Sequence, residues 1–205
     1  MGHGLLDQRR WWPRAPPRPE LRQLHRAGDR RRRDDRPPAE ELSGTTALRS
    51  PEPTIFFEDI EVGSTVQSGW YEVPRDEVIE FAARWDPYPH HLDDDAAANS
   101  VFGRVAACAS HTFSISTRLT HDLPGTIAMA AGLGGDGFDL AAPLYADSRV
   151  QLTRRYLAAR ESKSRPDIGI VTLEDTLRDQ DDTVVFRTSG SMFVSKRGAE
   201  PRSPS

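Results

Sequence analysis

The chain has 205 residues, a length that suits one domain of moderate size with extensions. Hydrophobic residues make up 37% and the net charge is −4, which argues against a strongly basic nucleic-acid binder; no stretch approaches the roughly 18 apolar residues of a membrane span. The single cysteine, Cys108, excludes an intrachain disulfide framework or a cysteine-rich metal site and fits a reducing cytoplasm.

Residues 1–50 differ from the rest. They hold 12 Arg against 7 acidic residues, a local charge of +5, and leave −9 to the remainder. Arg30 to Arg33 run together, and Pro13, Pro16, Pro17, Pro19, Pro37 and Pro38 punctuate the segment. Such a segment buries too little apolar surface to offset its ordering entropy, so a disordered arm is expected over 1–50. It has neither the apolar run of a secretory signal nor the acid-poor character of an organelle presequence. Interleaved acids weaken a nucleic-acid role, and Trp11-Trp12 alone make no stacking platform. The folded domain is expected over 51–198, with a disordered tail over 199–205.

From Ile55 the pattern becomes that of a folded protein. Gly69-Trp70-Tyr71-Glu72-Val73 is a β-rich run. Pro74-Arg75-Asp76-Glu77 starts a helix, with Val78, Ile79, Phe81 and Ala82 as its apolar face and Pro87 beyond its end. The stretch Asp86 to Asp93 contains Pro87 and Pro89 and is expected to be a stiff loop. A short helix is expected from Asp94 through Asn99, closed by Phe102-Gly103. The longest helix, about Ala107 to Thr120, is rich in small and apolar residues and is expected to be buried on most sides.

Strands and turns follow. Thr126 to Ala131 is expected as a short strand, ended by a turn cluster at Gly132, Gly134, Gly135 and Gly137. Further strands are expected over Arg149 to Leu157 and Ile168 to Leu177, then a hairpin turn at Asp179 to Asp182 and a last strand over Thr183 to Val194. Strands around a segregated helix make an α+β layout.

Asp86 and His91 stand five residues apart on the proline-stiffened loop. A carboxylate and an imidazole held close together can move protons in both directions near neutral pH. From the spacing alone, a capping Asp86 and a His91 in a turn weigh more. His90, His91, Asp93, Asp94 and Asp95 also crowd together, but adjacent residues rarely address one ion and the spaced His pair of zinc motifs is missing, so no metal is expected. His111 and His121 are read as packing or interface residues, and Cys108 as a small buried one rather than a reactive thiolate.

The segment Asp86-Pro-Tyr-Pro-His-His91-Leu-Asp93 resembles the hydratase motif of MaoC-like dehydratases and (R)-specific enoyl-CoA hydratases. Phe102-Gly103-Arg104-Val105-Ala106-Ala107-Cys108-Ala109-Ser110-His111-Thr112 is similar to that family's entry into its central helix, and Ser164 to Val171 to a turn-and-strand run. The resemblance covers roughly 55–197. It implies a hotdog fold, an antiparallel sheet wrapped around the long helix, paired as a homodimer or with a similar chain. It further implies syn addition of water to a trans-2-enoyl-CoA thioester, or the reverse, without a cofactor. Asp86 and His91 would share the proton transfers, and the Ala109 N–H would hold the thioester oxygen. Tyr88, His90, Phe102, Gly103 and Cys108 would shape the pocket.

Four positions depart from the family pattern. Tyr88 replaces Asn or Gln, His90 replaces an apolar residue, Ala109 replaces Gly, and the turn at Pro143 to Asp147 lacks an expected glycine. Two other classes stay open. Thioester hydrolysis would use a carboxylate on the central helix, and Ala107 to Thr120 has none. A non-catalytic acyl-CoA-binding or partner-subunit role would have Tyr88 fill the pocket.

Overall fold

A single five-stranded antiparallel sheet organises residues 52–199, which are the residues that the computed structural model describes. The expected arm over 1–50 and all but the first residue of the expected tail lie outside them. In chain order the elements are β1 (Thr65–Val73), α1 (Arg75–Trp85), α2 (Asp94–Ala98), α3 (Ala109–Thr120), β2 (Met129–Asp139), β3 (Ser148–Glu161), β4 (Ile168–Asp179) and β5 (Val184–Ser195). The strand order is β1-β3-β4-β5-β2, which leaves β1 and β2 at the edges. This is the hotdog arrangement: the sheet curls around α3.

Local chemistry explains the elements near the loop. Asp76 and Glu77 occupy the first turn of α1, where negative charge opposes the helix dipole favourably, and Val78 and Ala82 are its buried face. The helix ends at Trp85, and Asp86 leaves it with φ −151°, because a residue before proline avoids the α region. A single 3-10 turn, Pro89–His91, interrupts the stiff loop. Asp93 then caps α2 by accepting the Ala96 N–H at 2.9 Å.

The central helix begins at Ala109, two residues later than its composition suggests, because residues 105–107 are drawn into extended pairing. The Ala107 N–H donates to Leu144 at 2.7 Å and the Ala146 N–H to Val105 at 3.1 Å. Ile115 and Leu119 on α3 pack with Val150, Leu152, Leu177 and Phe186 of the sheet. On β3, Val150, Leu152 and Tyr156 share the buried side, as their alternation predicts.

The largest difference from the sequence reading lies in β2. The expected strand over Thr126 to Ala131, ended by a glycine turn, is instead a strand from Met129 to Asp139 that runs through all four glycines. Its pairing with β5 shifts register three times, and at Gly135 a Cβ would collide with the Ser189 carbonyl. The glycines therefore permit an irregular strand to approach its neighbour closely rather than ending it. The turn at Pro143 to Asp147 manages without glycine because Asp147 itself adopts φ 58°, a left-handed conformation that Asp tolerates.

Candidate active site

Asp86 and His91 line one cavity of about 430 Å³, together with Tyr88, His90, Phe102, Ala107, Ala109, Thr112 and residues 140–144. The proline loop delivers the first group, the amino end of α3 the second, and the segment after β2 the third. Sequence reasoning places Asp86, His91, Ala109, Tyr88, His90 and Phe102 at this site, and all six line the cavity. Gly103 and Cys108 do not. Gly103 sits in a turn at φ 72°, and Cys108 is buried at the N-cap of α3 with its Sγ 3.3 Å from the Ser110 hydroxyl.

The His91 ring is buried, and its Nδ1 lies 2.6 Å from the Ala106 carbonyl oxygen. A carbonyl only accepts, so Nδ1 carries the hydrogen and donates it. In the neutral ring, Nε2 is then the lone-pair nitrogen, the form a general base requires. Among the described residues nothing hydrogen-bonds Nε2 or the Asp86 carboxylate. Both groups are free to act on a molecule in the cavity.

The aromatic neighbours form a stack beside this pair. Tyr88 lies over His90 with ring centroids 5.6 Å apart and an angle of 12°, and His90 contacts both His91 and Phe102. Tyr88 is 61% exposed, so its ring covers His90 rather than filling the cavity. Burial, and secondarily the neighbouring His91, lower the His90 pKa against a smaller opposite effect of Asp86, which favours the neutral ring.

Ala109 is the first residue of α3, and its N–H has no partner inside the helix. Such an N–H, at the positive end of the helix dipole, suits an oxygen that gains negative charge. The Ala109 methyl leaves that N–H in place.

Two of the crowded acidic residues, Asp93 and Asp94, are engaged elsewhere. Asp93 caps α2, and Asp94 pairs with Arg75 at 2.7 Å. Buried His111 stacks on Phe81 at 4.4 Å and donates through Nε2 to Glu77 at 2.9 Å. Tyr71 donates to the other Glu77 oxygen at 2.6 Å. Burial and the adjacent Glu77 push the Tyr71 hydroxyl up to about 12. This network ties β1 and α1 to the first turn of α3, so His111 is a packing residue, as its sequence context suggests. Thr112 escaped notice in the sequence, although it lies one turn from Ala109 and shares its face. The Ala106 carbonyl left no sequence signal at all.

The MaoC like domain family matches residues 59–177, more than half of the chain. The chain belongs to this family. A likeness to the MaoC-like dehydratase from Rhodospirillum rubrum extends over 70% of this MaoC-like chain and 98% of that one, at 33% identity and a TM-score of 0.64. The (R)-hydratase from A. caviae involved in PHA biosynthesis is 25% identical, over 68% of this chain and 98% of its own, with a TM-score of 0.53. The uncharacterized protein YdeM of Bacillus subtilis (strain 168) is 22% identical over 142 residues, 68% of this chain and 99% of YdeM. The family and these likenesses support a hydratase or dehydratase role. Among the described residues no helix is long and apolar enough to cross a membrane.

Proposed function

We propose that the protein hydrates trans-2-enoyl-CoA thioesters to (R)-3-hydroxyacyl-CoA, or dehydrates the latter. The carrying observation is the His91 ring, held with hydrogen on Nδ1 and a lone pair on Nε2, lining the same cavity as an unpaired Asp86 carboxylate and the amino end of α3. Asp86 and His91 hold a water molecule between them, and His91 takes a proton from it as its oxygen bonds to C3. Electron density moves to the thioester oxygen, which the Ala109 N–H stabilises as an enolate. The proton is returned to C2 on the same face. The reverse sequence expels water.

The position of Tyr88 supports an enzyme over a binding subunit. Its ring lies on His90 and leaves the cavity open beside Asp86 and His91. The apolar edge of β2, where Met129, Leu133 and Phe138 are exposed, suits pairing with a second copy or a similar chain. The free, buried Cys108 suits a cytoplasmic setting. The test is hydration of crotonyl-CoA, followed as loss of the enoyl-thioester absorbance, then a panel of longer and branched enoyl-CoAs. Inactivity on every enoyl thioester would favour the acyl-CoA-binding role instead.

A further inference from the structure

The other end of α3 opens on a second cavity, of about 270 Å³. Its walls are mostly apolar, with Val66, Leu123, Ile127, Met129 and Met192 among them and Thr120 and Thr126 beside them. Set into these walls is a guanidinium. Arg154 on β3 faces Asp175 on β4 in direct register, and their side chains are only 8% and 7% exposed. Arg154 Nε and Nη2 donate to the two carboxylate oxygens of Asp175, each at 2.8 Å.

That geometry leaves Nη1 over. It makes no hydrogen bond, yet it is not sealed in the interior as the Nδ1 of His111 is. Arg154 lines the cavity, so Nη1 is the donor that remains for a molecule bound there. Tyr156, from the same face of β3, also lines the cavity, and its hydroxyl has no partner. Burial foremost, with Asp175 against the opposing Arg154, holds that hydroxyl in its neutral, donating form.

A stability role explains this poorly. Well-packed apolar residues of similar volume generally serve a core as well as a buried ion pair or better. Desolvated donors facing a mostly apolar space are instead what a ligand site needs: walls for bulk and a few placed polar groups for orientation. At about 30 Å³ per water-sized unit the space takes roughly nine heavy atoms. His121 also lines it.

We propose that this cavity is a second ligand site, distinct from the catalytic one, for a medium-length aliphatic carboxylic acid. The chain lies against Val66, Ile127, Met129 and Met192, and the carboxyl oxygens accept from Arg154 Nη1 and the Tyr156 hydroxyl.

The chain has three methionines, and two of them, Met129 and Met192, line this cavity, which provides a direct probe. The full chain, labelled with ¹³C at the methionine methyls, is titrated with octanoate. Both cavity signals should move saturably. 1-Octanol, which lacks the carboxylate, should bind at least tenfold more weakly. Tyr156→Phe should weaken octanoate several-fold, and Arg154→Met with Asp175→Leu, which removes both charges together, at least tenfold. Asp86→Asn should bind octanoate as the parent does, whether or not the protein is a hydratase. Stationary Met129 and Met192 signals at millimolar octanoate would overturn the proposal. So would equal affinity for octanoate and octanol, or unchanged affinity in both the Tyr156 and the double variant.

Discussion

His91 donates through Nδ1 to the carbonyl of Ala106, three residues before the first N–H of the central helix at Ala109. The contact fixes which ring nitrogen is basic. It also ties the imidazole to the segment that enters α3, so a displaced helix start would move the base and the proposed enolate donor together. A shift of about 1 Å in such an arrangement can cost on the order of a hundredfold in rate.

Asp86→Asn and His91→Ala should therefore each lower kcat by about 10²- to 10⁴-fold while KM stays within a few-fold. The double variant should be scarcely worse than either single one, because the two groups act as a unit. Steady-state kinetics on crotonyl-CoA decide it. A fully additive double variant would mean that the two residues serve separate steps.

The Arg154–Asp175 pair makes a stability prediction independent of any ligand. Arg154→Met alone leaves Asp175 as an uncompensated buried carboxylate and should cost about 3–5 kcal/mol. Adding Asp175→Leu should recover most of that loss. Urea denaturation of the single and double variants measures both. A double variant as unstable as the single would show that the pair's geometry, not its charge balance, supports the sheet.

Much of this protein is legible in its sequence where local chemistry dominates. Pro87 and Pro89 announce the stiff loop, the acids of α1 announce a helix start, and Val150, Leu152 and Tyr156 announce the buried side of β3. The motif around Asp86 and His91, with the run from Phe102 to Thr112, identifies the family and six residues that line the cavity. What stays hidden depends on distant chain. The glycines of β2 look like a turn because nothing in their own segment reveals that β5 will lie against them. The cavity wall at residues 140–144 and the Ala106 acceptor are positions rather than side-chain chemistries. Arg154 and Asp175, 21 residues apart, become a pair only through the β3–β4 register.

Gly135 offers a test of the irregular edge. An added methyl would meet the Ser189 carbonyl, a backbone atom that cannot move without its strand. Gly135→Ala should cost about 1–3 kcal/mol, the usual range for overpacking. If β2 is the pairing edge, the variant should also shift the protein from dimer towards monomer in sedimentation velocity. A parent that is monomeric at micromolar concentration, with full activity, would refute pairing as a requirement.

Tyr88 is the most informative position for specificity. It stands where the family pattern has Asn or Gln, and its exposed ring lies on His90 at the rim of the site. Tyr88→Asn removes that stack and leaves Asp86 and His91 untouched. Because the ring does not fill the cavity, the variant should keep kcat on crotonyl-CoA within a few-fold. It should change the ranking of longer and branched enoyl-CoAs by kcat/KM, since the lost aromatic surface adjoins the space an acyl chain must share with His90 and Phe102. Activity that arises only on the Asn substitution would mean that Tyr88 closes the site in solution. A parent and variant equally inactive on every enoyl thioester would remove the hydratase reading and leave acyl-CoA binding in its place.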